Sequence, residues 1–114
     1  MKRKIIIINN DLLLVKGFSE VVYLESSGRN TKTHCSDGKE YLIKKCLSQV
    51  EESLPSEKFF KIHKSFIINV DYLKGINING HKTVLLHNGI ELNVACRKYK
   101  NFMEFVKNRF VFWQ

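Results

Sequence analysis

Phe59-Phe60-Lys61-Ile62-His63-Lys64-Ser65-Phe66-Ile67-Ile68-Asn69-Val70 is the stretch from which the rest of the chain is read. Two apolar runs bracket a compact polar knot, Lys61 to Ser65, that carries two cations, an imidazole and a hydroxyl. Apolar flanks are driven into a core, so an apolar strand interrupted in this way must push the knot to a surface. Positive charge held on a rigid base is a means of gripping an anion.

Outward from this stretch the chain reads as strands and turns. Asp37-Gly38, Asn79-Gly80 and Asn88-Gly89 are expected to be reversals, because Asn and Gly tolerate the positive φ of two-residue hairpins. Strands are expected over Lys4–Ile8, Leu12–Lys16, Val21–Glu25, Thr31–Cys35, Glu40–Ile43, Leu73–Ile78, Lys82–Leu86 and Glu91–Val94. Asn9-Asn10-Asp11 and Gly17 punctuate the first of them. Leu47, Val50 and Leu54 keep helical spacing up to Pro55, which predicts a short helix over 47–54. Tyr99, Phe102, Met103, Val106 and Phe110 predict a second helix over 97–109, their stripe packing on the core. The fold class is therefore mainly β, with antiparallel sheets, one short helix and a C-terminal helix.

The 114 residues make one domain, 1–114, with 44% apolar and 26% charged residues, as in an ordinary soluble globular protein. The net charge of +8 is unevenly spread. Residues 1–57 hold 9 Lys/Arg against 8 Asp/Glu, whereas residues 58–114 hold 10 against 3. A basic face in the second half, and a polyanionic partner, are expected. Cys35, Cys46 and Cys96 are odd in number and contain no Cys-x-x-Cys, so free thiols in a reducing cytoplasm are expected, with no metal or cofactor. Met1-Lys2-Arg3-Lys4 before Ile5–Ile8 imitates a signal peptide, but four apolar residues are too few for its core. No run approaches the roughly 20 apolar residues of a membrane span. The expected localisation is cytoplasmic, without a membrane partner.

Residues 59–70 resemble, almost position for position, the signature of the LytTR DNA-binding domain, the output domain of many bacterial two-component response regulators. The resemblance extends over about residues 10–108. Val22-Tyr23-Leu24-Glu25 with Gly28, Thr31 and Lys32 is similar to the family's early strand and following loop. Asp37-Gly38-Lys39 and Leu47 to Pro55 are similar to its hairpin and helix. Val94-Ala95-Cys96-Arg97-Lys98 is similar to its closing basic motif, with Cys96 where Arg is common and Ala95 in place of a Ser cap. The resemblance implies an elongated antiparallel β fold that inserts loops into successive major grooves of double-stranded DNA. It implies a role in transcription regulation, no catalysis and no small-molecule substrate. A receiver domain normally precedes such a module; none is recognisable here, which implies an excised output domain or a stand-alone regulator.

Carried over by position, Asn30, Thr31, Lys64 and Arg97 are the expected base contacts. Arg29, Lys32, Lys61, Ser65, Lys98 and Lys100 are the expected phosphate contacts. Arg97 can fork onto guanine O6 and N7, and Asn30 can pair with adenine. Lysines beside them suit phosphates, which position the protein. His63 is expected to be a buried imidazole holding the backbone, and His81 and His87 to be exposed beside turns. Two rival readings are an RNA-binding small β domain, which would display aromatics for stacking, and a protein-interaction module using Phe110-Val111-Phe112-Trp113. Residues 1–109 contain no heptad or evident apolar seam, so the isolated chain is expected to be monomeric.

Overall fold

A computed structural model describes residues 4–9 and 12–113. It forms three antiparallel sheets and two helices in an elongated body of 50 × 27 × 25 Å. Strands β1 (Lys4–Asn9) and β2 (Leu12–Gly17) pair as a two-stranded ribbon. The central sheet has five strands: β3 (Val21–Ser27), β4 (Asn30–Cys35), β5 (Glu40–Ile43), β6 (Phe59–His63) and β7 (Phe66–Asn69), in the order β5-β4-β3-β7-β6. Helix α1 (Leu47–Glu51) links β5 to β6. A third sheet of β8 (Leu73–Asn77), β9 (Thr83–Leu86) and β10 (Glu91–Asn93) leads into α2 (Cys96–Lys107).

The polar knot proves to be a chain reversal. β6 turns through Lys64-Ser65 into β7, and His63 faces Phe66 across the hairpin. What reads as one interrupted strand is thus two adjacent strands. The knot also contains one core residue: Ile62 is fully buried. A bulge between Lys61 and His63 leaves Ile62 out of the ladder. Its free carbonyl accepts the amide of Ala95 at 2.8 Å, which joins the central sheet to the start of α2.

Alternation along β3 and β7 feeds two cores, because neighbouring strand residues point to opposite faces. On one face Leu24, Phe59 and Ile67 meet Phe18, Leu47 and Val50, with Ile5, Ile43 and Leu54 packed around them. On the other, Val22, Tyr23, Ile62 and Ile68 meet Val84, Leu86, Leu92, Phe102 and Val106. The helical stripe predicted over 97–109 therefore packs on the core as expected, through Phe102 and Val106.

Several expected boundaries move. α1 ends at Glu51 and continues only as turns, Ser53 donating to the Val50 carbonyl and Leu54 to that of Glu51. α2 starts one residue earlier and ends two earlier than predicted. The two Asx-Gly turns at 37–38 and 88–89 are reversals with three-residue loops. In each, the strand residue before the loop bonds the one after it, Cys35 N to Lys39 O and Leu86 N to Ile90 O. Gly38 and Gly89, at φ +82° and +84°, supply the left-handed residue that closes such a loop. Asn79-Gly80 lies in a longer connection, since Asn77 faces Thr83. The expected punctuation at Asn10-Asp11 and the charged start, Met1 to Arg3, lie outside the described residues.

Asn69 is fully buried at the end of β7 and ties three segments together. Its Nδ2 donates to the carbonyls of Val21 (2.8 Å) and Phe18 (3.4 Å), and its Oδ1 accepts from the Asp71 amide at 3.0 Å. Asn69→Ala strands these buried groups without a hydrogen-bond partner, so it should lower the unfolding free energy by about 2–4 kcal/mol. Urea denaturation with an unchanged m-value is the check; a loss below about 1 kcal/mol would mean the bonds are replaced.

Candidate nucleic-acid interface

Antiparallel pairing gathers most of the predicted contact residues at one end of the central sheet. β3 and β4 are joined by the two-residue turn Gly28-Arg29, with Ser27 facing Asn30 and Gly28 at φ +62°. This puts Arg29 on the exposed hairpin tip. β7 runs beside β3, so the Lys64-Ser65 tip emerges next to it, and the Ser26 amide donates to the Ser65 carbonyl at 2.9 Å. The Ala95–Ile62 bond brings the start of α2, with exposed Arg97, Lys98 and Lys100, to the far side of the same knot. No salt bridge engages Arg29, Lys64, Arg97, Lys98 or Lys100 among the described residues.

His63 organises the second tip from inside. It is half-buried, and its Nδ1 accepts the Ser65 amide at 3.1 Å while its ring lies 5.5 Å from Phe66. The expected backbone-holding role is what the geometry shows, with partial in place of full burial. That bond fixes the direction in which Lys64 leaves the turn. Ser65 is half-buried, its backbone occupied on both sides. His81 and His87 are exposed, as expected.

Two predicted contacts do not reach this surface. Thr31 lies in β4, fully buried, and its Oγ1 donates to the Lys45 carbonyl at 2.8 Å. Strand alternation turns Thr31 inward and leaves Asn30 and Lys32, both half-buried, on the other face. Thr31 is therefore a structural clamp. Lys61 is opposite Ile67, which directs it to the α1 side of the sheet. There its ammonium, with the side chain 20% exposed, sits 4.0 Å from the Glu51 carboxylate. It is turned away from the tip.

The Thr31 bond also reveals two cations that the sequence reading missed. Ile43 faces Thr31, so Lys44 and Lys45 leave β5 at the same sheet end as Arg29, and both are exposed. As linear sequence they look like ordinary loop charges; only the pairing of β5 with β4 places them here. Lys82 arrives in a similar way, its carbonyl accepting the Val94 amide at 2.9 Å and its ammonium 5.3 Å from the Tyr99 ring.

At the opposite end of the sheet, Lys16 Nζ donates to Asp37 Oδ2 at 3.3 Å, and its hydrogen bonds to Tyr41 and Asp37 raise its pKa. Elsewhere on the sheet His34 stacks on Tyr23 at 4.1 Å and approaches Glu25 and Glu40 at 3.0 and 3.6 Å. Among the described residues no group of three or more His, Cys, Asp or Glu is placed to hold a metal ion. No helix among them is long and apolar enough to cross a membrane.

The family model of the LytTr DNA-binding domain matches residues 12–107, which include both tips and the start of α2. The chain belongs to the LytTR DNA-binding family. A solved LytTr DNA-binding domain, from a Bacillus cereus protein described as a methyl-accepting/DNA response regulator, superposes with a TM-score of 0.83 at 25% identity. The match covers 93% of this chain and 98% of that one. No relative was found among curated proteins. The family is one of DNA-binding domains, and the mainly β architecture with two helices is the LytTR fold.

In this LytTR domain the cysteines can report on the interface. Burial pushes the Cys35 thiol up to about 11, so it stays protonated and inert at neutral pH. A hydrogen bond from Ser48 lowers the pKa of Cys46, which raises its thiolate fraction at a given pH. Cys96 is exposed next to Arg97. Iodoacetamide at neutral pH should alkylate Cys46 and Cys96 and spare Cys35, and duplex DNA should slow the reaction at Cys96. An unchanged Cys96 rate under saturating DNA would take the start of α2 out of the interface.

Proposed function

We propose that this LytTR domain binds double-stranded DNA sequence-specifically, in transcription regulation, by presenting the two hairpin tips and the start of α2 to successive major grooves. The observation that carries the reading is the convergence of Arg29, Lys64 and Arg97, without a salt bridge among the described residues, at one sheet end held by backbone hydrogen bonds. A sheet so bonded fixes the spacing of the tips before binding, which cuts the ordering cost on association.

Roles follow from reach and chemistry. Arg97 can take guanine O6 and N7 with both arms of its guanidinium, and Lys64 can reach the same acceptors from its turn. Arg29, at the outermost position of its hairpin, is better placed to enter a groove than half-buried Asn30, which stays a shallower candidate for adenine. Lys98 and Lys100, together with Lys44 and Lys45, suit phosphates on either side, with Lys32 and Ser65 behind them. Proton transfer and nucleophilic chemistry have no part in this mechanism. Of the rival readings, RNA binding by base stacking is disfavoured. Phe59 is buried, and Phe60 and Phe66 are packed against the core.

Affinity for duplex DNA should fall steeply with salt. With on the order of 6–8 phosphate contacts, log K against log salt should have a slope of about −5 to −7. A slope shallower than about −2 would argue against an electrostatic grip on a duplex.

Arg97→Ala should cost about 1–3 kcal/mol on a site selected from a random duplex pool and relax the preference at one base position. Lys100→Ala should weaken all sequences alike. Gel shifts with selected and scrambled duplexes separate the two behaviours. Equal losses on both duplexes for Arg97→Ala would remove its base-reading role.

A further inference from the structure

The C-terminal tail folds back on α2 and walls a cleft beside it. The Phe110 amide donates to the Val106 carbonyl at 3.1 Å, and the Lys107 ammonium lies 5.6 Å from the centre of the Phe112 ring. Two hollows result, of about 290 and 450 Å³, and they adjoin across Ile78, Met103 and Phe112, which line both. The smaller hollow also touches Leu73, Lys74, Gly75 and Ile76 in succession. Neighbouring strand residues point to opposite faces, so a hollow that meets four in a row runs along the strand's edge. β8 is an edge strand of its sheet, and such an edge offers backbone N–H groups that have no ladder partner.

We propose that this cleft binds a free amphipathic anion, a medium-chain carboxylate, with its hydrocarbon chain in the hollows and its head group on the lysine rim. Hollows of this volume suit a small molecule. Their lining suits a hydrocarbon: Ile76, Ile78, Val106 and Phe112 are apolar, and Met103 adapts its shape to what it meets. Their rim suits an anion. Lys74 stands at the smaller hollow and Lys100 and Lys107 at the larger, against the single carboxylate of Glu104. None of these lysines is in a salt bridge among the described residues. A cationic head group would meet like charges here, and an uncharged one would leave them unused.

The same occupant accounts for the aromatic tail. Phe110 and Phe112 remain 46% and 56% exposed because the cleft they wall is open to solvent. A hydrocarbon chain laid between Ile78, Met103 and Phe112 takes apolar surface of all three out of water, so affinity should rise with chain length. Lys107, held over the Phe112 ring, keeps its N–H donors for the head group. Lys100 is also among the residues proposed above to take phosphates; the charge argument stands on Lys74 and Lys107 without it.

Calorimetric titration of the DNA-free chain with decanoate, below its micellar concentration, tests the proposal independently of any DNA binding. One-to-one binding is expected, with octanoate weaker by about tenfold and decyltrimethylammonium weaker by at least about tenfold. The methyl resonance of Met103 should shift during the titration. Ile78→Glu, at a position 56% exposed, and Lys107→Gln should each weaken decanoate at least about fivefold with an unchanged circular dichroism spectrum. Phe112→Ala is the alternative should a glutamate at position 78 disturb the fold. No binding, an unmoved Met103 methyl, or decanol or the cationic amphiphile bound as tightly as decanoate overturns the proposal. Binding that survives Ile78→Glu but is lost with Ile8→Glu, on the exposed side of the β1–β2 ribbon, also overturns it and moves the amphiphile there.

Discussion

The carbonyl of Ile62 is the junction on which the rest of this domain depends. A bulge frees it from the β6–β7 ladder, and the amide of Ala95 takes it up. A buried carbonyl left without a donor is costly, so the bulge and the approach of α2 stabilise each other. The side chain of Ile62 enters the core that α2 covers, which reinforces the same contact through burial. One residue thereby sets the position of Arg97 relative to Lys64. The helix needs this help, because Ala95 offers no side-chain cap.

Much of this architecture could be read from the chain. The Asx-Gly pairs mark reversals because the glycine relieves a steric constraint that is local. The apolar stripe of α2 is legible for a similar reason, since 3.6-residue periodicity needs no knowledge of the partner. The family signature implied DNA contacts at the knot, but the residues alone did not distinguish an interrupted strand from two paired ones. That distinction belongs to Lys64-Ser65 and the hydrogen bond to His63, which form only once the strands lie side by side.

The expected contact residues that do not face the basic end share one cause. Thr31 and Lys61 sit within a residue or two of proposed contacts, yet period-two alternation turns them to the opposite face. Lys44 and Lys45 were missed for the converse reason: they join the basic end through pairing between strands, and sequence proximity does not show it. The ribbon is a further case. Ile5 to Ile8 read correctly as a strand, but which alternate residues the domain covers is decided by neighbours far along the chain.

The central sheet carries a separate apolar cluster on each side, and among the described residues no buried one belongs to both. The layer of α1 and the ribbon therefore rests on one set of contacts, and the layer of β8–β10 and α2 on another. Such an arrangement permits the two layers to open with different free energies, as distinct cooperative units sharing a common sheet. Evolutionary drift in Leu47 or Val50 can then soften the first layer while the α2 layer, with its basic tip, keeps its rigidity. The stability of one layer and the geometry of the other become traits that selection can tune apart.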